Sequence, residues 1–206
     1  MEQIDKNQND LGTFFKEDLF KIFLGIFKNP VNGLADYYQG KTKKGYLGSL
    51  FLIVAAVTLF TFIPLIVGDF YKHYIPIAFK IGLAPIFIVG FIALFTFLIK
   101  SFLSKADFLK EFEMASSHAI ILSILILSVS FLSVISSEFD FWSFNQLSFI
   151  SVIYLLFIFY ILLLMISIVK QTLSLDIKNP MLIWYLSPIT VLLSIYLSVL
   201  VIKALM

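Results

Sequence analysis

Two carboxylates and an imidazole, Glu111, Glu113 and His118, fall within one short stretch, "LKEFEMASSHAI", that leads into an apolar run. A carboxylate and a histidine can share a metal ion or pass a proton, but on one helix a shared ion wants ligands three or four residues apart. Glu111 lies seven residues before His118, two turns away on the same face, which makes at most a loose polar track. The expected role of His118 is therefore interfacial or in helix packing. His73 has no partner near it in sequence. Lys80 is the other intramembrane polar candidate. It is either a coupling cation or anion site or a side chain snorkelling to the outer interface, and the second is favoured because no carboxylate lies deep in another apolar run to pair with it. Catalytic-triad order, paired carboxylates and a phosphate-cradling glycine loop are not found, and cysteine is absent. The sequence thus predicts no enzyme, no metal site and no cofactor.

The elements that would position these residues are set by hydropathy. Of 206 residues, 60% are hydrophobic and 14% charged, and the mean hydropathy is +1.00. A water-soluble domain of that composition would expose large apolar patches, so an all-α integral membrane protein is expected. A net charge of +2 and a basic set made of lysine alone argue against nucleic-acid binding. A bilayer core takes about 20 apolar residues per helix. Five stretches meet that demand: Tyr46 to Val67, Ile77 to Ile99, Ala115 to Ile135, Ser148 to Val169 and Met181 to Ile202. Residues 1–45 then form an amino-terminal tail and residues 46–206 a five-span domain. Pro64, Pro85 and Pro188 fall in three of the spans and are expected to kink them.

Lysines give the orientation. The tail carries Lys6, Lys16, Lys21, Lys28, Lys41, Lys43 and Lys44; the connection after span two carries Lys100, Lys105 and Lys110, and that after span four Lys170 and Lys178. The alternate connections are poorer in lysine, so the rule that cytoplasmic loops are basic places the amino terminus inside and the carboxyl terminus outside. Within the tail, residues 11–28 are apolar yet charged on every turn of their first half. Spanning would bury Lys16, Glu17, Asp18 and Lys21 near or within lipid at several kcal/mol, and no signal-peptide pattern is present. The reading that remains is an amphipathic interfacial helix on the anionic inner leaflet, with Phe15, Leu19, Lys21 and Phe23 at the membrane surface and Lys41, Lys43 and Lys44 adding electrostatic attraction. Its alternative is a helix packed on the ends of the spans. Asn29-Pro30 is expected to cap a short second helix, about residues 30–39, and Asn179-Pro180 to cap span five in the same way.

Small residues make a stronger pattern than ionisable ones. Ser116, Ser123, Ser130 and Ser137 recur every seven residues through span three, and Ser187, Ser194 and Ser198 stand in span five. Such stripes let helices approach closely, either inside the bundle or against another membrane protein or a second copy.

A tail segment ending in "IFKNP", a short helix with "GLADYY", five spans, and the polar lead "SKADFLKEFEMASSHAIILSIL" into the third span together resemble the Yip1 family of small polytopic membrane proteins. The short tail and lysine-only basic set are similar to its bacterial branch; the acidic-aromatic signature of eukaryotic members is not present. The resemblance implies an integral multi-pass protein, expected in the bacterial cytoplasmic membrane, and gives no catalytic residues to carry over. A strong membrane-surface signal beside spans almost empty of ionisable groups points to a non-catalytic scaffold or accessory factor in membrane organisation or trafficking, acting through helix contacts with partners. The competing expectation is a transporter or channel component for a small or lipid-like solute, with Lys80 as its discriminating residue.

Overall fold

A computed structural model of the chain describes residues 12, 14–39, 46–67, 75–104, 106–135 and 149–205. Lipid offers the backbone no hydrogen-bond partner, so apolar runs of this length must satisfy it internally as helices. They do. A π-helical turn, Phe14–Asp18, leads into α1 (Leu19–Phe27), and α2 (Gly33–Gln39) follows. The first span is α3 (Tyr46–Val67), the second α4 (Ile75–Gly82) with α5 (Ala84–Leu103), the third α6 (Phe108–Ser116) with α7 (His118–Ile135), the fourth α8 (Phe149–Ser174) and the fifth α9 (Pro180–Leu205). Among the described residues there is no strand, and five helical segments are long and apolar enough to cross a membrane. The chain has an all-α fold of membrane type.

Two boundaries differ from the hydropathy reading in ways that matter. The third span begins at Phe108, not Ala115, because Asp107 caps α6, its side chain accepting from the Leu109 N–H at 3.1 Å. Glu111 and Glu113 are thereby drawn into the helix. The second span is already helical at Ile75, the first described residue there, and is broken at Leu83. There Pro85 lacks a donor and restricts the residue before it, and the Leu83 N–H turns back to the Lys80 carbonyl at 3.2 Å. Lys80 therefore sits on a helical turn.

In the bundle, α3 packs along α7, α4 and α5, α9 along α5 and α8, and α6 wedges between α5, α3 and α8. Val89, Ile92, Met114, Ile121, Ile168 and Val191 make up much of its fully buried interior. Large apolar side chains such as Ile66, Phe102, Phe131, Leu155 and Met181 point outward, the arrangement expected where the surroundings are hydrocarbon. At the outset of α3, Gly48 lies under the Phe14 ring, so the tail begins pinned to the first span. Gly25 and Gly33 bring α1 and α2 together backbone to backbone: a Cβ on Gly33 would stand 2.7 Å from the Gly25 Cα. The two helices form a tight hairpin across the end of the bundle where spans one, three and five begin.

Candidate functional site: a polar joint at the tail end of the bundle

The buried ionisable residues of the spans, Lys100, Glu111, Glu113 and His118, collect at that end. Lys100 lies one turn from the carboxyl end of α5, wholly buried, with Nζ donating to Glu111 Oε1 of α6 at 2.7 Å and to Asp176 Oδ2, in the connection after α8, at 2.6 Å. Lys110 approaches the same Asp176 oxygen at 3.7 Å from a more exposed position. The second Glu111 oxygen has no hydrogen-bond partner among the described residues. One ammonium thus ties three elements together, and Asp176 is left 26% exposed as the cluster's outlet to solvent.

A few residues along α6 the helix itself breaks. The Ser117 N–H turns to the Met114 carbonyl at 3.2 Å, which releases the Glu113 carbonyl from the regular helical pattern. That carbonyl is taken up by the Ser116 hydroxyl at 2.7 Å and the Tyr38 hydroxyl of α2 at 3.1 Å. His118 sits just past the break, buried, its Nδ1 2.8 Å from the Ala115 carbonyl and its Nε2 3.1 Å from the Met165 carbonyl of α8. Both ring nitrogens face acceptors, so the ring bridges the third and fourth spans. A cavity of about 10 Å³, roomy enough for about one water, lies beside Tyr38, Ser49, Glu113 and Ser116.

The hairpin is held from the fourth span. Gln171 Oε1 accepts the Leu34 and Ala35 N–H groups at 2.8 and 3.1 Å, and its Nε2 donates to the Pro30 carbonyl at 2.8 Å; the Ser167 hydroxyl donates to the same carbonyl. A side chain from α8 thus caps the start of α2, satisfying donors a short helix cannot satisfy itself. Asn29 instead closes a turn, accepting from the Asn32 N–H at 3.3 Å. Asn179 does cap its helix, accepting from Met181 and Leu182 at 3.1 and 3.3 Å. The same Lys-Asn-Pro triplet therefore serves two purposes, because only the second leads straight into a helix. On the hairpin's outer side the Tyr37 hydroxyl donates to Asp18 at 2.6 Å. Burial pushes the phenols of Tyr37 and Tyr38 well above their ordinary value, and at Tyr37 the bond to Asp18 adds to it. Both remain neutral donors across physiological pH.

The residues singled out from the sequence are distributed as follows. The wide apolar face of the tail helix divides: Phe14, Ile22 and Ile26 are buried in the protein, Leu19 is half-buried against the core, and Phe15, Phe20, Phe23 and Leu24 face outward with Lys21. The face is broad enough to meet protein on one side and another apolar medium on the other. Lys41, Lys43, Lys44, Ser137 and His73 lie outside the described residues. Ser116 is buried within the bundle, Ser123 is half-buried and donates to the Ala119 carbonyl at 2.8 Å, and Ser130 is half-buried. Lys80, half-buried in α4, makes no ion pair among the described residues. Trp184 carries the Lys170 ammonium 4.3 Å above its ring, tying α9 to α8.

Hydropathy counting missed the ionic cluster entirely, having counted Lys100 and Lys110 as topology signals. The available signal was that Lys100 directly ends an apolar run while Asp176 is the sole acid in its connection. Chemically, these groups hold one another and freed carbonyls; what the arrangement does is tie the ends of the spans together and fix the hairpin against the first, third and fourth of them. No protein-family model, no curated protein and no solved structure matches the chain.

Proposed function

We propose that the protein is a non-catalytic membrane scaffold of the Yip1 type, whose tail hairpin is clamped to the bundle and lays an aromatic face into the headgroup layer of the cytoplasmic leaflet. The observation that carries this is the division of α1. One flank, Ile22 and Ile26, is sealed against the protein, and the other leaves Phe20 63% and Phe23 42% exposed at the end of the bundle. Phenylalanines held outward on a fixed helix beside lysines are the pattern of an interfacial helix, and here the Gln171 and Tyr38 contacts pre-set its pose. The two strings that carry the family resemblance, "IFKNP" and "GLADYY", are the ends and body of this hairpin. Orientation follows from the lysines: the tail and the connections holding Lys110, Lys170 and Lys178 share one end, which the basic-loop rule assigns to the cytoplasm. In such a scaffold the half-buried Ser123 and Ser130, small residues that permit close helix approach, are the proposed contacts for a second membrane protein or a second copy.

The absence of native cysteine makes the test direct. Single cysteines at Phe20, Phe23 and, as the aqueous reference, Asp36 carry a nitroxide in protein reconstituted into nanodiscs, and collision with oxygen and with a water-soluble nickel chelate reports depth. The expected result is oxygen-dominated collision at 20 and 23 and nickel-dominated collision at 36. Nickel-dominated collision at all three sites would sink the membrane-surface reading.

A further inference from the structure

On the outer side of the hairpin an open groove of about 470 Å³ runs between α1 and α2. Its floor is made by Gly25 and Gly33, whose missing side chains let the backbones touch and leave the trough above them. Its charged lining consists of Lys21 and Lys28, seven residues apart on one face of α1. Both are exposed, and neither makes an ion pair among the described residues. Asn29 and Tyr37 complete the polar wall. The Asn29 carbonyl oxygen is engaged by Asn32, which leaves its amide N–H₂ as a donor, and the Tyr37 hydroxyl is turned away to Asp18. The lining therefore offers two cations and an amide donor and contains no carboxylate.

We infer that this groove binds the phosphate headgroup of an anionic phospholipid, with Lys21 and Lys28 as its two cationic contacts. The occupant is a lipid rather than a free anion because Phe20 and Phe23 stand on the same helix and Leu24 lines the groove itself. Leu24, with Phe20 one turn before it on the same side of the helix, would cover the first segment of an acyl chain and has no use for inorganic phosphate. Two lysines two turns apart on one face also give something a diffuse basic surface lacks: both act on one headgroup at once. The inference rests on the reading that α1 lies in the headgroup layer, and it narrows that reading from a leaflet to a single bound molecule.

The test uses the full chain purified in mild detergent from membranes containing phosphatidylglycerol, with retained lipid counted by native mass spectrometry. Lys21→Gln/Lys28→Gln is compared with Lys16→Gln/Lys178→Gln, which removes the same charge from two exposed lysines outside the groove. If each lysine contributes as it does near an anionic surface, the groove variant should bind short-chain phosphatidylglycerol about 30-fold more weakly while the control is nearly unchanged. Equal losses in both variants would mean diffuse attraction, and no loss in either would mean no site; both overturn the inference. Competition separates the sources: short-chain phosphatidylglycerol should displace bound lipid and millimolar inorganic phosphate should not, and displacement by phosphate alone overturns the lipid assignment. The nitroxide at Phe20 keeps the two readings apart. A groove variant that loses lipid while position 20 stays oxygen-dominated supports both, whereas retained groove specificity with a water-exposed position 20 removes the membrane-surface reading and leaves the groove.

Discussion

Two buried polar regions of the bundle are built on opposite plans. At the tail end, Lys100, Glu111 and Asp176 come from three elements, and the buried Lys100 and Glu111 need partners that other elements supply. Where α9 packs on α5 and α8, the hydroxyls of Ser187, Ser194 and Ser198 are equally buried, yet each donates to a carbonyl of its own helix four residues back, at 2.6, 2.7 and 2.7 Å. Thr96 of α5 does the same to Ile92 at 2.8 Å. A hydroxyl satisfied locally makes a smooth, narrow helix face and asks nothing of its neighbour. A buried ammonium cannot be satisfied locally, so it fixes where its neighbours stand. The first plan gives close packing, the second gives a particular arrangement.

The largest test of that contrast is Lys100→Met. It leaves the Glu111 carboxylate buried without its cation, and breaking a buried pair from one side costs about 3–5 kcal/mol. The expected outcome is a large fall in melting temperature of the detergent-solubilised protein. Adding Glu111→Leu should recover much of it, since Asp176 keeps solvent and Lys110. A neutral Lys100→Met would show that the ion pair does not organise the joint.

A smaller and more local effect is expected of Gln171→Leu. It strands the Leu34 and Ala35 N–H groups and one bond to the Pro30 carbonyl, at about 1–3 kcal/mol for an unsatisfied buried group. Hydrogen exchange should quicken over residues 30–39 while the amides of the spans stay protected. Faster exchange throughout the bundle would instead make hairpin and spans one cooperative unit. The smallest effect belongs to Ser194→Ala, expected within about 0.5 kcal/mol because the Thr190 carbonyl keeps its helical backbone donor. A drop well beyond that would mean the hydroxyl bonds across helices, and the contrast between the two regions would collapse.

Residue by residue, the fold was more legible than the joint. Tyr46 to Val67 was readable as a single helix throughout, because a long run with no charged group has one low-energy form in lipid. The start of the third span was not, since two carboxylates read as a polar lead outside the apolar run until the Asp107 cap draws them into the helix and Lys100 is brought to Glu111. The tail helix was visible as amphipathic, but which flank meets protein was not, because Ile22 and Phe23 are equally apolar and only the position of α3 and α2 distinguishes them.

The sequence by itself determined that this chain is a bundle of apolar helices with a charged, amphipathic tail and its lysines mostly at one end. That information is local: hydropathy and periodicity act within a helix's length. Only the tertiary structure decided that Lys100 is a buried tie rather than a loop charge, that Gln171 caps a helix more than a hundred residues before it, and that Gly25 and Gly33 open a groove between two lysines. Each of these joins groups distant along the chain, and burial, which sets their energies, exists only once the helices have been packed.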